Sequence, residues 1–206
     1  MFNSSSRNLN LLIDKLFDIL RESGFSTEDI IKDARIDLSK PIPEIDLPRI
    51  FDYAYNYTKD EALMIKLGQR VDVTYFGSFG FALMSCSDFT EAVKLLNRYH
   101  SLLGSGINFN VLLDSHNSKH TLRVSISILN NLQKKLLTEL IISQAIYLLK
   151  IITNNDQLKF KIGFQHKGVK NKELYESILK CNVEFNQLHN EISIPIDVRK
   201  EKLVSA

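Results

Sequence analysis

The strongest constraint on this chain's fold is a change of hydrophobic period close to its midpoint. Before Gly104 and Gly106 the apolar residues recur three and four apart; after them they recur at every second position. Ile107, Phe109, Val111 and Leu113 alternate with their neighbours, as do Leu122, Val124, Ile126 and Ile128, with the polar stretch SHNSKH between. A side chain on one face at every second residue marks a half-buried strand, so this region reads as a hairpin with a loop of six residues or fewer.

Upstream, the pattern is helical. Leu12, Ile13, Leu16, Phe17 and Leu20 form one stripe that ends at Gly24, a natural C-cap. Ser26 is placed to cap a short second helix whose first turn holds Glu28 and Asp29. The pair superficially resembles a helix-turn-helix, but TEDIIKDARI is acidic where a recognition helix must approach DNA. KPIPEIDLP follows as a proline-punctuated connector. The next helix carries Leu47, Ile50, Phe51 and Ala54 on one face, and Asp60 is expected to cap another with Leu63, Met64 and Leu67. Residues 73–104 join a glycine-spaced aromatic run to a helix opened by an Asp88/Glu91 capping box. That helix is expected to turn Phe89, Ala92, Val93, Leu96, Tyr99 and Leu103 inward.

Beyond the hairpin the spacing predicts a long helix from Leu132 to Thr153, a strand over Leu158–Phe164 and a short helix capped by Asn171. VEFNQ and EISIPI read as a second hairpin turning at His189-Asn190. The expected fold class is α+β: an antiparallel sheet of about five strands covered by helices, with a helical N-terminal portion over residues 10–45. A chain of 206 residues fits one domain, residues 1–206, and can bury a core without staples. Its two cysteines, Cys86 and Cys181, have no CxxC partner and read as buried free thiols.

Function classes narrow by exclusion. The longest apolar run, Leu136–Ile152, is interrupted by Thr138, Glu139, Ser143, Gln144 and Lys150, and the N-terminus lacks the layout of a signal peptide. The chain is therefore expected to be cytoplasmic, without a membrane partner. A net charge of +2 shows no concentrated basic stripe, and the lysines of 159–172 alternate with Phe160, Ile162 and Phe164 as a wet strand face does. His116 and His120 flank a loop, but no further ligand completes a metal site, and no catalytic or nucleotide-binding motif is present. No enzyme, metal or cofactor is proposed by these residues. The aromatics and methionine between 75 and 99 either line an apolar cavity or fill a core between helices and sheet. Arg123, Ser125 and Ser127 face opposite to Leu122, Val124 and Ile126, toward solvent or toward a cleft.

Three segments in order carry a family likeness: LPRIFDYAYNYTKDEALMIKLGQRV, YFGSFGFALMSCSDFTEAVKLLNRYHSLL and FKIGFQHKGVKNKELYESILKCNVEFNQLHNEISIPID. Together they resemble the N-terminal regulatory, arabinose-binding-like domain of AraC-type transcription regulators, over about residues 10–200. The last segment matches through His166, Tyr175, Val183, Phe185 and Asn190; it departs at Lys167, where the family commonly has proline, and at Ile178-Leu179, near a usual phenylalanine. The resemblance implies an effector-sensing and dimerising domain that works as a homodimer, with DNA reached only through a C-terminal helix-turn-helix domain outside this chain. Residues 197–206 are then expected to begin the linker. The expected ligand-cavity residues are Phe79, Met84, Tyr99 and Arg123, with His166 anchoring the rim, suited to an amphipathic or amino-acid-like metabolite. The alternative is a protein-interaction or dimerisation module without a small-molecule effector.

Overall fold

The first helix, α1 (Leu9–Glu22), forms where the stripe expects it and buries Leu12, Ile13, Leu16, Phe17 and Leu20. It ends in a Schellman turn: Gly24 takes φ +79°, Phe25 N–H reaches Leu20 O at 2.9 Å and Gly24 N–H reaches Arg21 O at 3.0 Å. Helix α2 (Thr27–Asp33) follows, but Ser26 does not cap it with its side chain. The Ser26 hydroxyl instead donates to Glu28 at 2.8 Å, because a carboxylate two residues away is the stronger acceptor and turns the hydroxyl into a donor. A computed structural model supplies these coordinates; it describes residues 9–99, 107–114, 119–127 and 130–194, with backbone alone at 107, 109–114 and 119–120.

Helices α3 (Leu47–Thr58) and α4 (Leu63–Gly68) complete a helical layer with α1. Asp60 accepts from Ala62 N–H at 3.0 Å and pairs with Lys66 at 2.7 Å, fixing the turn between them. A 3₁₀ turn over Val73–Phe76 leads into α5 (Gly77–Met84). Two glycines make this possible. Gly77 adopts φ +54° and ψ −135°, and a Cβ on Gly80 would lie 2.1 Å from Val73 O. Helix α6 (Phe89–Tyr99) starts on the expected box, with Asp88 accepting from Glu91 N–H at 2.9 Å and Glu91 accepting from Ser87 N–H at 2.7 Å.

Strands β1 (Ile107–Asp114) and β2 (Lys119–Ile126) form the expected antiparallel hairpin, in register from Ile107 opposite Ile126 to Asp114 opposite Lys119. The other half of the sheet departs from expectation. Strands β3 (Lys161–Gly163), β4 (Asn182–Glu184) and β5 (Asn190–Ile194) complete the order β1-β2-β5-β3-β4. β4 and β5 are not hairpin partners: β3 lies between them, antiparallel to β5 and parallel to β4, so the sheet is mixed rather than antiparallel. Ile162, Gly163 and Phe164 are buried in succession, the pattern of an interior strand rather than a half-wet one. Phe164 continues the insertion, donating to Glu184 O at 2.8 Å and accepting from Gln187 N–H at 2.9 Å. Helix α8 (Lys172–Leu179), capped by Asn171 on Leu174 N–H at 3.0 Å, is the crossover that a parallel β3–β4 pair requires.

Helix α7 (Asn131–Thr153) joins the two layers. Its N-cap is Asn130, which accepts from Gln133 N–H at 2.9 Å. Contrary to the expectation from its interrupting polar residues, α7 is long and apolar enough to cross a membrane, with a mean hydropathy of 1.6 in its most apolar window; 67% of that window is buried inside the fold. A helix apolar on nearly all sides suits a position between two cores. One core holds α1, α3 and α4, and the other lies between α7 and the sheet. The fold is thus mixed α+β and dominated by helices.

Helix α4 crosses α7 at close range. A Cβ at Gly68 would stand 2.5 Å from Ser143 Cβ and 2.8 Å from Leu140 O, so only glycine fits. Gly68→Ala and Gly80→Ala are expected to destabilise the chain by about 1–3 kcal/mol each through overpacking. Gly168→Ala, whose nearest neighbour would be a Phe185 ring carbon at 3.8 Å, should stay within about 0.5 kcal/mol. Urea unfolding of the three variants checks the ranking.

Candidate ligand cavity

An apolar cavity of about 340 Å³ lies at the seam between the two cores. Its walls follow from the periodicities of the elements around it. Helix α6 contributes Phe89, Ala92, Val93 and Leu96, one face at helical spacing, while α7 contributes a stripe from Leu137 to Ile152. Phe76, Phe79 and Leu83 close it from the glycine-rich segment, and Leu122 and Ile126 form its floor on the inward face of β2. Leu12 and Leu47 come from the helical core and Ile194 from the sheet, so one void touches both. Its rim reaches solvent at Ile45, which is 87% exposed.

Among the described residues four side chains with polar atoms line the cavity: Glu44, Tyr75, Ser127 and Gln144. Gln144 stands apart. It is only 7% exposed, and its Nε2 has no hydrogen-bond partner among the described residues. Three other polar side chains of α7 are engaged. Ser143 donates to Ile65 O at 2.6 Å, Lys150 to Leu179 O at 2.8 Å, and Thr153 to Leu149 O at 2.6 Å. A buried donor without a partner costs stability, and the Gln144 amide, with a donor and an acceptor at its end, is one of the few polar groups along the cavity. Among the described residues no Lys, Arg or His lines the cavity.

The five residues expected from sequence are not brought together. Phe79 lines the cavity. Met84, one step round α5 from the lining Leu83, packs instead against Cys86, Ala92 and Ile152. Tyr99 does not turn inward as expected: it sits beyond the last lining turn of α6, is 38% exposed, and has the Arg98 guanidinium over its ring at 5.5 Å. Arg123 occupies the face of β2 opposite Leu122, where strand alternation puts it, and pairs with Glu191 at 2.9 Å. His166 belongs to a different cluster. Leu103, His100 and His116 lie outside the described residues, as does the side chain of His120.

That second cluster centres on Glu139, a wholly buried carboxylate of α7. Tyr175 Oη lies 2.8 Å from Glu139 Oε1 and also reaches the Glu61 carbonyl; Lys135 Nζ stands 3.3 Å away. His166 Nε2 is 3.2 Å from the same Oε1, close enough for an ion pair but not aligned as a hydrogen bond, while its Nδ1 lies 2.8 Å from Lys167 O. The His166 ring is packed between Phe164 and Phe185, with centroids at 4.9 and 5.3 Å. This cluster ties α7 to α8 and to the segment after β3. Sequence reasoning passed over both Glu139 and Gln144 as interruptions of an apolar run; a polar residue in the middle of such a helix was the signal.

Residues 19–202 match the family described as the arabinose-binding domain of AraC transcription regulators, N-terminal. The chain belongs to that family. It is similar to the ornithine utilization regulator of Pseudomonas aeruginosa, 21% identical over 94% of this chain and 58% of that protein. A 94-residue stretch, 42% of this chain, is 29% identical to 27% of an uncharacterized HTH-type transcriptional regulator of Mycobacterium tuberculosis. The crystal structure of the transcriptional regulator CdpR from Pseudomonas aeruginosa shares the fold, with a TM-score of 0.65 and 14% identity over 87% of this chain and 56% of that one. This AraC-type regulatory domain thus spans a little over half the length of the relatives it matches most fully, and those relatives are transcriptional regulators.

The Glu139 cluster makes a pH prediction. Burial first, and then the Glu139 carboxylate, hold the Tyr175 proton well above the usual phenol range. The folded value therefore exceeds the unfolded one, so this contribution is intact below about pH 10 and is lost as pH rises further, at about 1.4 kcal/mol per pH unit. Tyr175→Phe should be less stable than the parent at pH 9, with the gap narrowing by pH 11 in urea unfolding.

Proposed function

We propose that this AraC-type domain senses a small-molecule effector in the seam cavity and transmits its presence through homodimer pairing to a DNA-binding domain outside the chain. The observation that carries the reading is the cavity itself: one apolar void, walled by both cores, with the Gln144 amide among its few polar groups. A molecule seated there touches α6, α7 and β2 together, so it favours whichever arrangement of these elements fits it. A ligand can shift such an equilibrium only through contacts that differ between the states, and walls from separate layers provide them. Two-fold pairing would present two DNA-binding units to paired half-sites, and the family membership supports that role.

Two ligand names come with the relatives: arabinose in the family's description and ornithine in one relative's name. Both molecules carry several polar groups, whereas this cavity offers few. Neither name is carried over.

The test is a thermal-shift screen of a metabolite library on the chain. A ligand at 100 times its dissociation constant stabilises by about 2.7 kcal/mol, which for a domain of this size raises Tm by roughly 5–10 °C. Ala145→Phe, which fills the cavity from α7, is expected to abolish that shift. An equal shift in the filled variant would place the ligand elsewhere. No shift with any compound would favour a pure interaction module.

A further inference from the structure

We infer that the effector is an uncharged, mainly apolar molecule, about the size of two fused rings or a ten-carbon chain. The inference rests on the proposed sensing role and specifies its ligand class. Glu44, Tyr75, Ser127 and Gln144 carry the polar side-chain atoms along the described walls, and every other described lining residue is apolar. No single polar contact decides the class. It follows from what the walls offer in bulk, which is carbon surface. A hydrocarbon body that fills the void gives that surface dispersion contacts and removes it from water. Size agrees: an apolar cavity of about 150 Å³ holds one benzene, and this one is about 340 Å³.

Charged ligands fit poorly. Among the described residues no cation lines the cavity, and cations on the elements that wall it turn to other partners. Lys150 of α7 donates to Leu179 O at 2.8 Å, and Lys135 stands 3.3 Å from Glu139. Arg123 of β2 pairs with Glu191 at 2.9 Å, and Arg98 of α6 lies over the Tyr99 ring. A carboxylate would therefore enter unpaired, past Glu44 on the wall. A cation would meet only Glu44, on the 3₁₀ turn Glu44–Asp46 that holds the exposed Ile45 of the rim. Among the inner walls it would be buried without a counter-charge. A sugar brings a hydroxyl on nearly every carbon, most of them stripped of water against Phe79, Leu122 and Leu140. One neutral hydroxyl or carbonyl is tolerated, because it costs far less to bury than a charge.

The experiment uses the 206-residue chain and the apolar dye N-phenyl-1-naphthylamine, whose fluorescence rises in dry surroundings. Bound dye is displaced with 1-decanol, decanoate or decylamine, a set with one hydrocarbon body and ends that differ in charge. Naphthalene, L-arabinose and L-ornithine complete the panel. Decanol and naphthalene are expected to displace the dye at concentrations about tenfold below decanoate and decylamine, with arabinose and ornithine inert. Ala145→Phe fills the cavity from α7 and should lose the dye. Ala145→Leu fills it more mildly and takes its place if circular dichroism shows the first variant unfolded. The inference is overturned if a charged or many-hydroxyl compound competes as well as decanol, or if a folded, filled variant binds dye as the parent does. It also falls if the parent takes up neither dye nor decanol. The thermal-shift screen reads sensing separately: a polar metabolite that raises Tm in the parent but not in the filled variant leaves sensing standing while this inference falls. With no dye uptake and no shift, both fail.

Discussion

Helix α7 is buried on opposite sides at once, and the remaining architecture follows from holding it there. The helical core lies against one side and the sheet core against the other. Apolar packing alone has no direction, and a helix apolar nearly all round could rotate or slide between such layers. Its polar side chains prevent this. Ser143 is bonded to α4 and Lys150 to the end of α8, while Glu139 meets Tyr175 of α8 and His166 beyond β3. Each bond is satisfied at one rotation and one depth only. Gly68 then allows α4 to sit close enough for the Ser143 bond to form, which ties a missing Cβ to the placement of the whole helix.

The cavity is a by-product of the same arrangement. With α7 pinned by its partners, the glycine-rich segment and α6 approach from a fixed distance, and their side chains do not reach across the whole seam. The turn at Gly80, between the lining Phe79 and Leu83, cannot carry a larger residue, because Val73 O occupies the space a Cβ would need.

Much of this was legible in the chain. The change of period located the β1–β2 hairpin, and Asn171 and the Asp88/Glu91 pair marked helix starts that the structure repeats. The interior position of β3 was not read, although a helix between two short strands is itself the mark of a parallel crossover. Two strands adjacent in sequence were assumed to be adjacent in space, and the successive burial of Ile162, Gly163 and Phe164 shows why another strand separates them. Site residues were harder still. Arg123 and Tyr99 were chosen by chemical type, but strand alternation and the turn count of α6 decide which way each points. Gln144 was visible as a polar residue in an apolar run, yet its lack of a partner is a property of three-dimensional surroundings.

That lack of a partner bears on how such a domain can change over generations. Most residues around the seam hold the two cores together, so substituting them trades recognition against folding. Position 144 makes no bond through its Nε2 that the fold needs. Replacing that amide by an apolar side chain of similar size breaks no hydrogen bond, so drift at one helical position can retune what the cavity accepts while its walls stay as they are.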